Sequence, residues 1–440
     1  MNPASGDNTA RRVSFALLVL AVLLYFCLSA PALSYLGIPY DTPTGPFPAK
    51  IHPGTYVMLL AWGLGLASAG NPLATLVSQA RQHRLLFSYF LCMVGVFLWA
   101  VGRHGPSGLA FLLDTLVMTG VAALTVALQP PARQRQLFML LMGLLMANAA
   151  LALGEAALGK RLVPQLAEQL GYVSEEYFRS SALVGHPLAN AMLTVAMLPA
   201  VLVLPWPLRW RLAAGVLVGL GLLTFGSRSA MAGLALFVLL ASIPVFRRLV
   251  RGGFSYVQLT GGLVGAVVAA AALAGVVAAT GLGERIFKNL TWDNSAQVRL
   301  RSWDVLDYFS DSDLWLGMSV PRIANVALRV GIDPRYEAIE NFWIYLLLLL
   351  GVVGFVLFGV GLACLVVHIW RISVAPLRVA MLVYLLMASG ANTLASKTIS
   401  LLMLTLTAQC AAQLRRPTPT RRQTPTGRVA PRYAQQGAWR

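Results

Sequence analysis

The chain contains 440 residues, of which 58% are hydrophobic and only 11% are charged, and its mean hydropathy is +0.70. This composition excludes a soluble globular domain and indicates that most of the chain lies in lipid. The net charge of +18 would suit a nucleic-acid-binding protein. However, the arginines occur in short clusters between hydrophobic stretches and form no single basic surface, so no nucleic acid partner is expected.

Twelve hydrophobic stretches follow one another along the chain. Because a hydrocarbon core needs roughly 20 apolar residues per helix, these stretches predict an all-α integral membrane protein with about 12 transmembrane helices. The predicted helices cover residues 13–33, 54–70, 85–101, 108–128, 137–157, 183–204, 212–226, 229–246, 257–280, 342–366, 379–394 and 398–413.

The charges predict how these helices are oriented. If the N-terminus is inside, every second loop is rich in arginine, and these inner segments hold only Asp7 of the 16 acidic residues. The positive-inside rule then places both ends in the cytoplasm. We expect the membrane to be the inner membrane of a bacterium. The first stretch is long enough to be retained as a helix and not cleaved as a signal peptide.

The predicted organisation follows from these helices and loops. A short cytoplasmic N-terminus (1–12) precedes helices 1 to 9 (13–280), which include a periplasmic segment at 158–182. A large, partly structured periplasmic loop (281–341) separates helices 9 and 10 and is expected to carry function. Helices 10 to 12 (342–413) precede a disordered basic tail (414–440) that is attracted to anionic membrane lipids.

Two patterns stand out inside the large loop. Residues 296–310 predict an amphipathic helix whose apolar side contains Val298, Trp303, Leu306 and Phe309. The sequence Asp311-Ser312-Asp313 has the Asp-x-Asp spacing of metal-dependent nucleotide-sugar transferases, but nucleotide sugars are cytoplasmic and this segment is outside. We therefore interpret it as a turn and predict no metal or cofactor.

Several polar residues lie at helix ends on the predicted outer side. Arg228 falls in a very short outer turn, where a guanidinium needs an anion unless it merely extends to the interface to end a helix. Further outer candidates are Arg179, His186, Arg299, Arg301, Glu340 and Asn341. Several arginines around one cavity favour a phosphate or pyrophosphate ligand. Alternatively, Arg299 and Arg301 pair with Asp304, Asp307 or Glu337.

Three acidic residues near membrane segments have open roles. Glu340 could act as a general base of raised pKa or could pair with an arginine. Asp114 could anchor a proton relay of a transporter, although it lies nearer the outer face than the midplane. Glu155 is close enough to the outer interface to be simply solvated.

Taken together, the motifs resemble those of the bacterial O-antigen ligase and polymerase superfamily, the Wzy/WaaL-type membrane glycosyltransferases. The resemblance covers most of the chain and is clearest from Arg179 to about Leu365. Its motifs are Arg179 with His186-Pro187 and Asn190, then Thr224-Phe225-Gly226-Ser227-Arg228, then Arg299-Leu300-Arg301-Ser302-Trp303 with Leu316-Gly317, and Glu340-Asn341-Phe342-Trp343 with Gly351 and Gly354.

The resemblance implies a metal-independent transfer on the periplasmic face. The donor is a glycan on undecaprenyl pyrophosphate, and the acceptor is a lipid-linked glycan or lipid A-core. Other polysaccharide-assembly proteins are further implied partners. It assigns catalytic roles to Arg228, Arg299 and Glu340, and binding of pyrophosphate or glycan to Arg179, His186, Arg301 and Asn341.

One departure from the family pattern bears on the choice of acceptor. Ligases carry His-Asn at the start of helix 10, where this chain has Glu340-Asn341. We therefore expect a polymerase of O-antigen or exopolysaccharide repeat units, with an O-antigen ligase as the close alternative. A polysaccharide or lipid transporter is the alternative from another class, and it predicts charges near the midplane and broken helices in repeated halves.

Overall fold

The computed structural model describes residues 3–41, 45–165, 178–253, 255, 275, 294–332 and 339–414. Helices are the regular elements of this part of the chain. They are α1 (Pro3–Cys27), α2 (Ala30–Tyr35), α3 (Pro53–Ala67), α4 (Pro72–Gln82), α5 (Arg84–His104), α6 (Met118–Ala127), α7 (Pro131–Leu158), α8 (Pro187–Met197), α9 (Leu208–Thr224), α10 (Arg228–Val250), α11 (Asn294–Asp304), α12 (Asp311–Leu316), α13 (Val320–Arg329), α14 (Phe342–Ile372), α15 (Ala375–Ser389) and α16 (Ser400–Ala411).

Five of these helices are long and apolar enough to cross a membrane, namely α1, α5, α7, α10 and α14. A sixth span results if α3 and α4, which meet at a bend of 100°, are taken as one. Eleven of the twelve predicted stretches coincide with helix, and the ninth, at 257–280, lies outside the described residues. The chain is thus an all-helical, multi-pass membrane protein, while the count of twelve spans stays a prediction.

The predicted domain boundaries are only partly covered by the described residues. Helix α1 already begins at Pro3, and its apolar part, Thr9–Cys27, is the candidate membrane span, so the cytoplasmic N-terminus stays a prediction. The tail from residue 415 and much of the large loop lie outside the described part of the chain.

Contacts between loops separate the two ends of the bundle. Among the segments predicted to be inside, Arg133 donates to the Arg11 carbonyl at 2.7 Å and Arg135 to the Gln413 carbonyl at 3.1 Å. Among those predicted to be outside, the Ser180 amide donates to the Thr224 carbonyl at 3.1 Å. The two sets of loops therefore gather at opposite ends of the helices, and which end faces the periplasm stays a prediction from the charges.

Helix α16 forms the centre of the bundle. All twelve of its residues are buried, and it packs against α6, α7, α8 and α14. Gln409 of α16 donates to the Ala123 carbonyl at 3.1 Å. Helices around it approach closely where side chains are small, as where Gly221 of α9 lies against Ala149 of α7. Small residues permit such packing between helices in lipid.

Helix α14 is broken at Gly351, which has φ 63° and ψ 178°. The Phe342 and Phe358 rings lie 6.3 Å apart, whereas a straight helix would separate these residues by about 24 Å. Residues 342–350 therefore fold back beside the membrane-spanning part that follows. This corrects the prediction of one continuous tenth helix. Phe342 lies at the level of Phe358, which is about 10 Å beyond Gly351 along α14.

The end of α12 stabilises this break. The Met318 amide donates to the Leu348 carbonyl at 2.6 Å, and the backbones of Gly317 and Gly351 are in contact. A Cβ at Gly351 would collide with the carbonyl oxygen of Trp315, and a Cβ at Gly317 with that of Leu349. The large loop is thus locked to the membrane-spanning bundle at this point.

We expect Gly351→Ala to lower the thermal stability of the purified protein sharply. Alanine at positive φ costs about 1–2 kcal/mol, and the collision with Trp315 adds to it. Melting in detergent, followed by fluorescence-detected gel filtration, measures the loss. Gly359→Ala is the matched control, because no atom lies within 4 Å of a Cβ at that position. Equal melting temperatures for the two variants would contradict the role given to the break.

Candidate functional site

Arg299 and Glu340 form an ion pair at the end of the bundle that is predicted to face outward. The Arg299 Nη2 atom lies 3.0 Å from Glu340 Oε2, and the two side chains are 43% and 28% exposed. Arg299 belongs to α11, whereas Glu340 lies just before the first turn of α14. The structure thus joins two of the predicted site residues, and it makes Glu340, not Asp304 or Asp307, the partner of Arg299. Glu337 lies outside the described residues.

Asn341 caps the helix that begins beside this pair. Its Oδ1 accepts hydrogen bonds from the backbone amides of Trp343 at 3.0 Å and Ile344 at 3.2 Å. The Phe342 amide donates to the Ala391 carbonyl, and the Trp343 indole donates to Ser389. Glu340 is therefore positioned by a helix start that is tied to the end of α15. A substrate role for Asn341 stays a prediction.

Arg228 is the first residue of α10 and follows a tight turn. Gly226 has φ 59°, and the Ser227 hydroxyl accepts from the Ala230 amide at 3.3 Å to cap the helix. The hydrogen bond between Ser180 and Thr224 brings the chain next to Arg179 up to this turn. Arg228 and Arg179 are thereby positioned by directly adjoining backbone segments.

His186 occupies the N-cap position of α8, where its side chain makes no capping hydrogen bond. The residue is exposed, and Arg179 and Arg161 lie near enough to act on it electrostatically. Each ring nitrogen of the imidazole can donate or accept a hydrogen bond according to its tautomer.

Arg161 was not among the predicted site residues. Its Nε atom donates to the Arg179 carbonyl at 2.9 Å, and its guanidinium lies 5.4 Å from the centre of the Phe178 ring. It therefore holds the backbone that presents Arg179. The sequence placed Arg161 in the same outer segment as Arg179, but nothing in the pattern indicated that the two would meet.

The Arg228 and Glu340 regions are linked through α15. Gly233, just over one turn into α10, packs directly on Met387 of α15. Two residues later, Ser389 accepts the hydrogen bond from Trp343, next to Asn341. The starts of α10 and α14 thus lie at the same end of the bundle. A single pyrophosphate site shared by Arg228 and Arg299 stays a prediction.

Arg301 has a structural contact. Its Nη1 atom donates to the Gly331 carbonyl at 3.2 Å, which links α11 to the end of α13. The contact organises the helices of the large loop and does not itself point to a ligand. Binding of substrate by Arg301 stays a prediction.

The predicted turn at Asp311-Ser312-Asp313 is in fact the start of α12. The Ser310 hydroxyl and the Asp313 carboxylate form a capping box, and Asp313 also pairs with Arg322. This segment therefore stabilises a helix N-terminus, as such boxes generally do.

Comparison with known proteins returned no match. No family model, no curated protein and no solved structure is similar to this chain.

Glu155 is buried, which corrects the expectation that it is merely solvated. It is 3% exposed and accepts hydrogen bonds from the amides of Leu162 at 2.7 Å and of Ser181 and Ala182 at 2.9 Å. The carboxylate thus holds the turn that follows Arg179. Ala182 has a positive φ of 41°, so this turn depends on such contacts.

We expect Glu155→Gln to destabilise the protein by about 1–3 kcal/mol, because the amide NH₂ would face backbone donors in place of an acceptor oxygen. Chemical denaturation in detergent measures the change in the free energy of unfolding. Asp307→Asn, at an exposed position of the large loop, is the control and should have little effect. An unchanged stability in Glu155→Gln would show that the carboxylate does not hold the turn.

Asp114 lies in a π-helical turn, Leu112–Val117, before α6. Its carboxylate accepts hydrogen bonds from the Thr55 hydroxyl at 2.6 Å, the Tyr40 hydroxyl at 3.1 Å and the His52 amide at 3.1 Å. Lys397 contacts the Tyr40 carbonyl, and desolvation lowers the pKa of this lysine. The carboxylate thus binds two other segments, the one around Tyr40 and the start of α3, while a proton relay through Asp114 stays a hypothesis.

Within the described residues, no three His, Cys, Asp or Glu side chains are grouped closely enough to hold a metal ion. The described residues of the candidate site are arginines, one carboxylate, one histidine and helix N-termini. Such an arrangement can bind an anion and transfer a proton.

Proposed function

We propose that the protein is a glycosyltransferase of the periplasmic face of the bacterial inner membrane. It transfers a glycan from undecaprenyl pyrophosphate to an acceptor hydroxyl, as a polymerase of O-antigen or exopolysaccharide repeat units. The observation that carries this proposal is the Arg299–Glu340 pair. It brings a cation for the leaving group and a candidate base together from distant stretches of the chain.

In the proposed reaction, the acceptor oxygen forms a bond to the anomeric carbon of the donor sugar, and the bond from that carbon to the pyrophosphate oxygen breaks. The leaving pyrophosphate takes the bonding electrons, so fixed positive charge lowers the barrier. Arg299 and Arg228 supply that charge, and Arg179 supports it. Glu340 accepts the proton of the hydroxyl.

The ion pair is consistent with Arg299 exchanging Glu340 for the pyrophosphate during this reaction. A pyrophosphate carries more negative charge than a carboxylate, and guanidinium binds it bidentately. Donor binding would therefore draw Arg299 from Glu340 towards the pyrophosphate. The carboxylate would then be available for the acceptor hydroxyl only when the donor is bound.

Three helix N-termini also support an anionic ligand. Helices α8, α10 and α14 begin at or next to His186, Arg228 and Glu340 respectively. The N-terminus of a helix carries a partial positive charge and favours anions. This adds to the charge of the arginines.

An experiment with purified protein tests the proposal and its alternatives. The protein is incubated with a lipid-linked oligosaccharide, with and without lipid A-core, and the products are analysed by mass. Longer lipid-linked chains indicate a polymerase, and glycan on lipid A-core indicates a ligase. No covalent product under either condition would refute the transferase.

A transporter is the second candidate, and the break at Gly351 favours it. Transporters bind substrates at discontinuous helices, and residues 342–350 form such a half-helix. Proteoliposomes with the lipid-linked oligosaccharide on one side distinguish the two functions. A transporter moves the molecule across the bilayer with unchanged mass, whereas the transferase changes its mass.

A further inference from the structure

Trp303 does not face the protein interior. The sequence pattern placed it on the apolar side of the helix, but its side chain is 57% exposed, while Ser302 is fully buried. The buried Ser302 hydroxyl is satisfied by the Val298 carbonyl at 2.8 Å. The helix is thus rotated from the predicted arrangement, and the indole points away from the core.

Trp303 lies on the same face of α11 as Arg299, one turn further along the helix. In an α-helix, residues four positions apart lie on the same face, so Trp303 is one turn along α11 from Arg299. Arg299 is bound to Glu340 at 3.0 Å, and Asp304 follows Trp303 in an exposed position. A large exposed ring therefore lies one helical turn from Arg299 of the proposed catalytic pair.

An exposed indole among charged groups has the chemistry of a sugar-binding surface. The flat, apolar face of the ring matches the C–H face of a pyranose, and adjacent charged groups can bind its hydroxyls. Trp315 provides a contrast. It is equally exposed, but it lies beside exposed Leu314, and its backbone contacts Gly351 at the end of the membrane-spanning part of α14.

We propose that Trp303 is a glycan-binding platform on which a sugar ring of the acceptor stacks beside the Arg299–Glu340 pair. The proposal rests on the proposed function and specifies how that site holds its acceptor. The proposed ligand of Trp303 is a carbohydrate. A membrane surface, which Trp303 and the equally exposed Leu300 could also contact, is an outcome of the test.

Binding is measured without catalysis. The probe is the lipid-free oligosaccharide released by mild acid from the lipid-linked pool of the host, titrated into protein in nanodiscs by calorimetry. We expect Trp303→Ala to weaken binding by at least ~10-fold and Trp303→Phe to retain part of it. Leu300→Ala and Trp315→Ala are controls that should bind like wild type. Wild-type binding by Trp303→Ala, or an equal loss in Leu300→Ala, would overturn the proposal.

A second measurement addresses the membrane. Fluorescence quenching by brominated phospholipids is compared between wild type and Trp303→Phe in nanodiscs. If brominated phospholipids quench the same amount of fluorescence in both proteins, the Trp303 indole lies outside the bilayer, as the proposal requires. If wild type has a quenched component that is missing from Trp303→Phe, the indole contacts lipid and its role as a glycan-binding platform is overturned. The proposed function can fail separately, because absence of any covalent product in wild type leaves Trp303-dependent oligosaccharide binding intact.

Discussion

Glycan transfer is expected to fall by about 10²–10³-fold when Arg299 is replaced by alanine, and by a similar factor for Arg228→Ala, because each change removes charge from the developing pyrophosphate. Arg228 is the first residue of α10, and Arg299 lies in the middle of α11. The measurement is the rate of product formation from lipid-linked oligosaccharide in detergent or nanodiscs.

The control for these variants is Arg329→Ala. Arg329 is an exposed arginine at the end of α13, in the same group of loop helices as Arg299. It tests whether any loss of positive charge on the outer side slows transfer. Each variant must also accumulate in the membrane and melt near the wild-type temperature. Normal transfer by both Arg228→Ala and Arg299→Ala would end the catalytic interpretation.

The second large effect is expected at Glu340. If this carboxylate accepts the hydroxyl proton, Glu340→Gln reduces transfer by about 10²–10⁴-fold, since an amide cannot act as a base. Glu340→His should retain some activity, because imidazole can also accept the proton. The dependence of kcat on pH should change between Glu340 and the histidine variant, since the titrating group is different.

A purely structural role of Glu340 gives a different result. The carboxylate is paired with Arg299 at 3.0 Å, so its loss could act only by misplacing the arginine. In that case Arg299→Ala would be as impaired as the double variant that combines Arg299→Ala with Glu340→Gln. The Glu340→His variant would then show no new pH dependence of kcat. Equal activities of Glu340→Gln and wild type would remove Glu340 from the mechanism altogether.

The sequence predicted the helical, multi-pass character of the described chain because the signal for a membrane helix is local. A run of about 20 apolar residues is sufficient evidence by itself. The break at Gly351 could not be predicted this way, since the run around it is apolar on both sides. It depends on Gly317 and Met318, which belong to the large loop and meet α14 only in the folded protein.

The site residues were predicted by type but not by pairing. The sequence indicated that Arg299 needs an anion and that Glu340 could pair with an arginine, but not that they are each other's partner. Asp114 and Glu155 show the same limit. Their hydrogen bonds come from segments far along the chain, or from a turn whose conformation is not encoded in any short pattern.

The fold-back of residues 342–350 sets where the chemistry would take place. It lowers the start of α14, and with it Glu340, to the level of Phe358, about 10 Å along the helix from Gly351. In the proposed orientation, this level lies on the lipid side of the outermost turn of the helix, nearer the phospholipid headgroups than the aqueous periplasm. A polyprenyl carrier could thus offer its diphosphate to the enzyme while its hydrocarbon chain remains fully inserted in the leaflet, and only the growing polymer would need to extend into water.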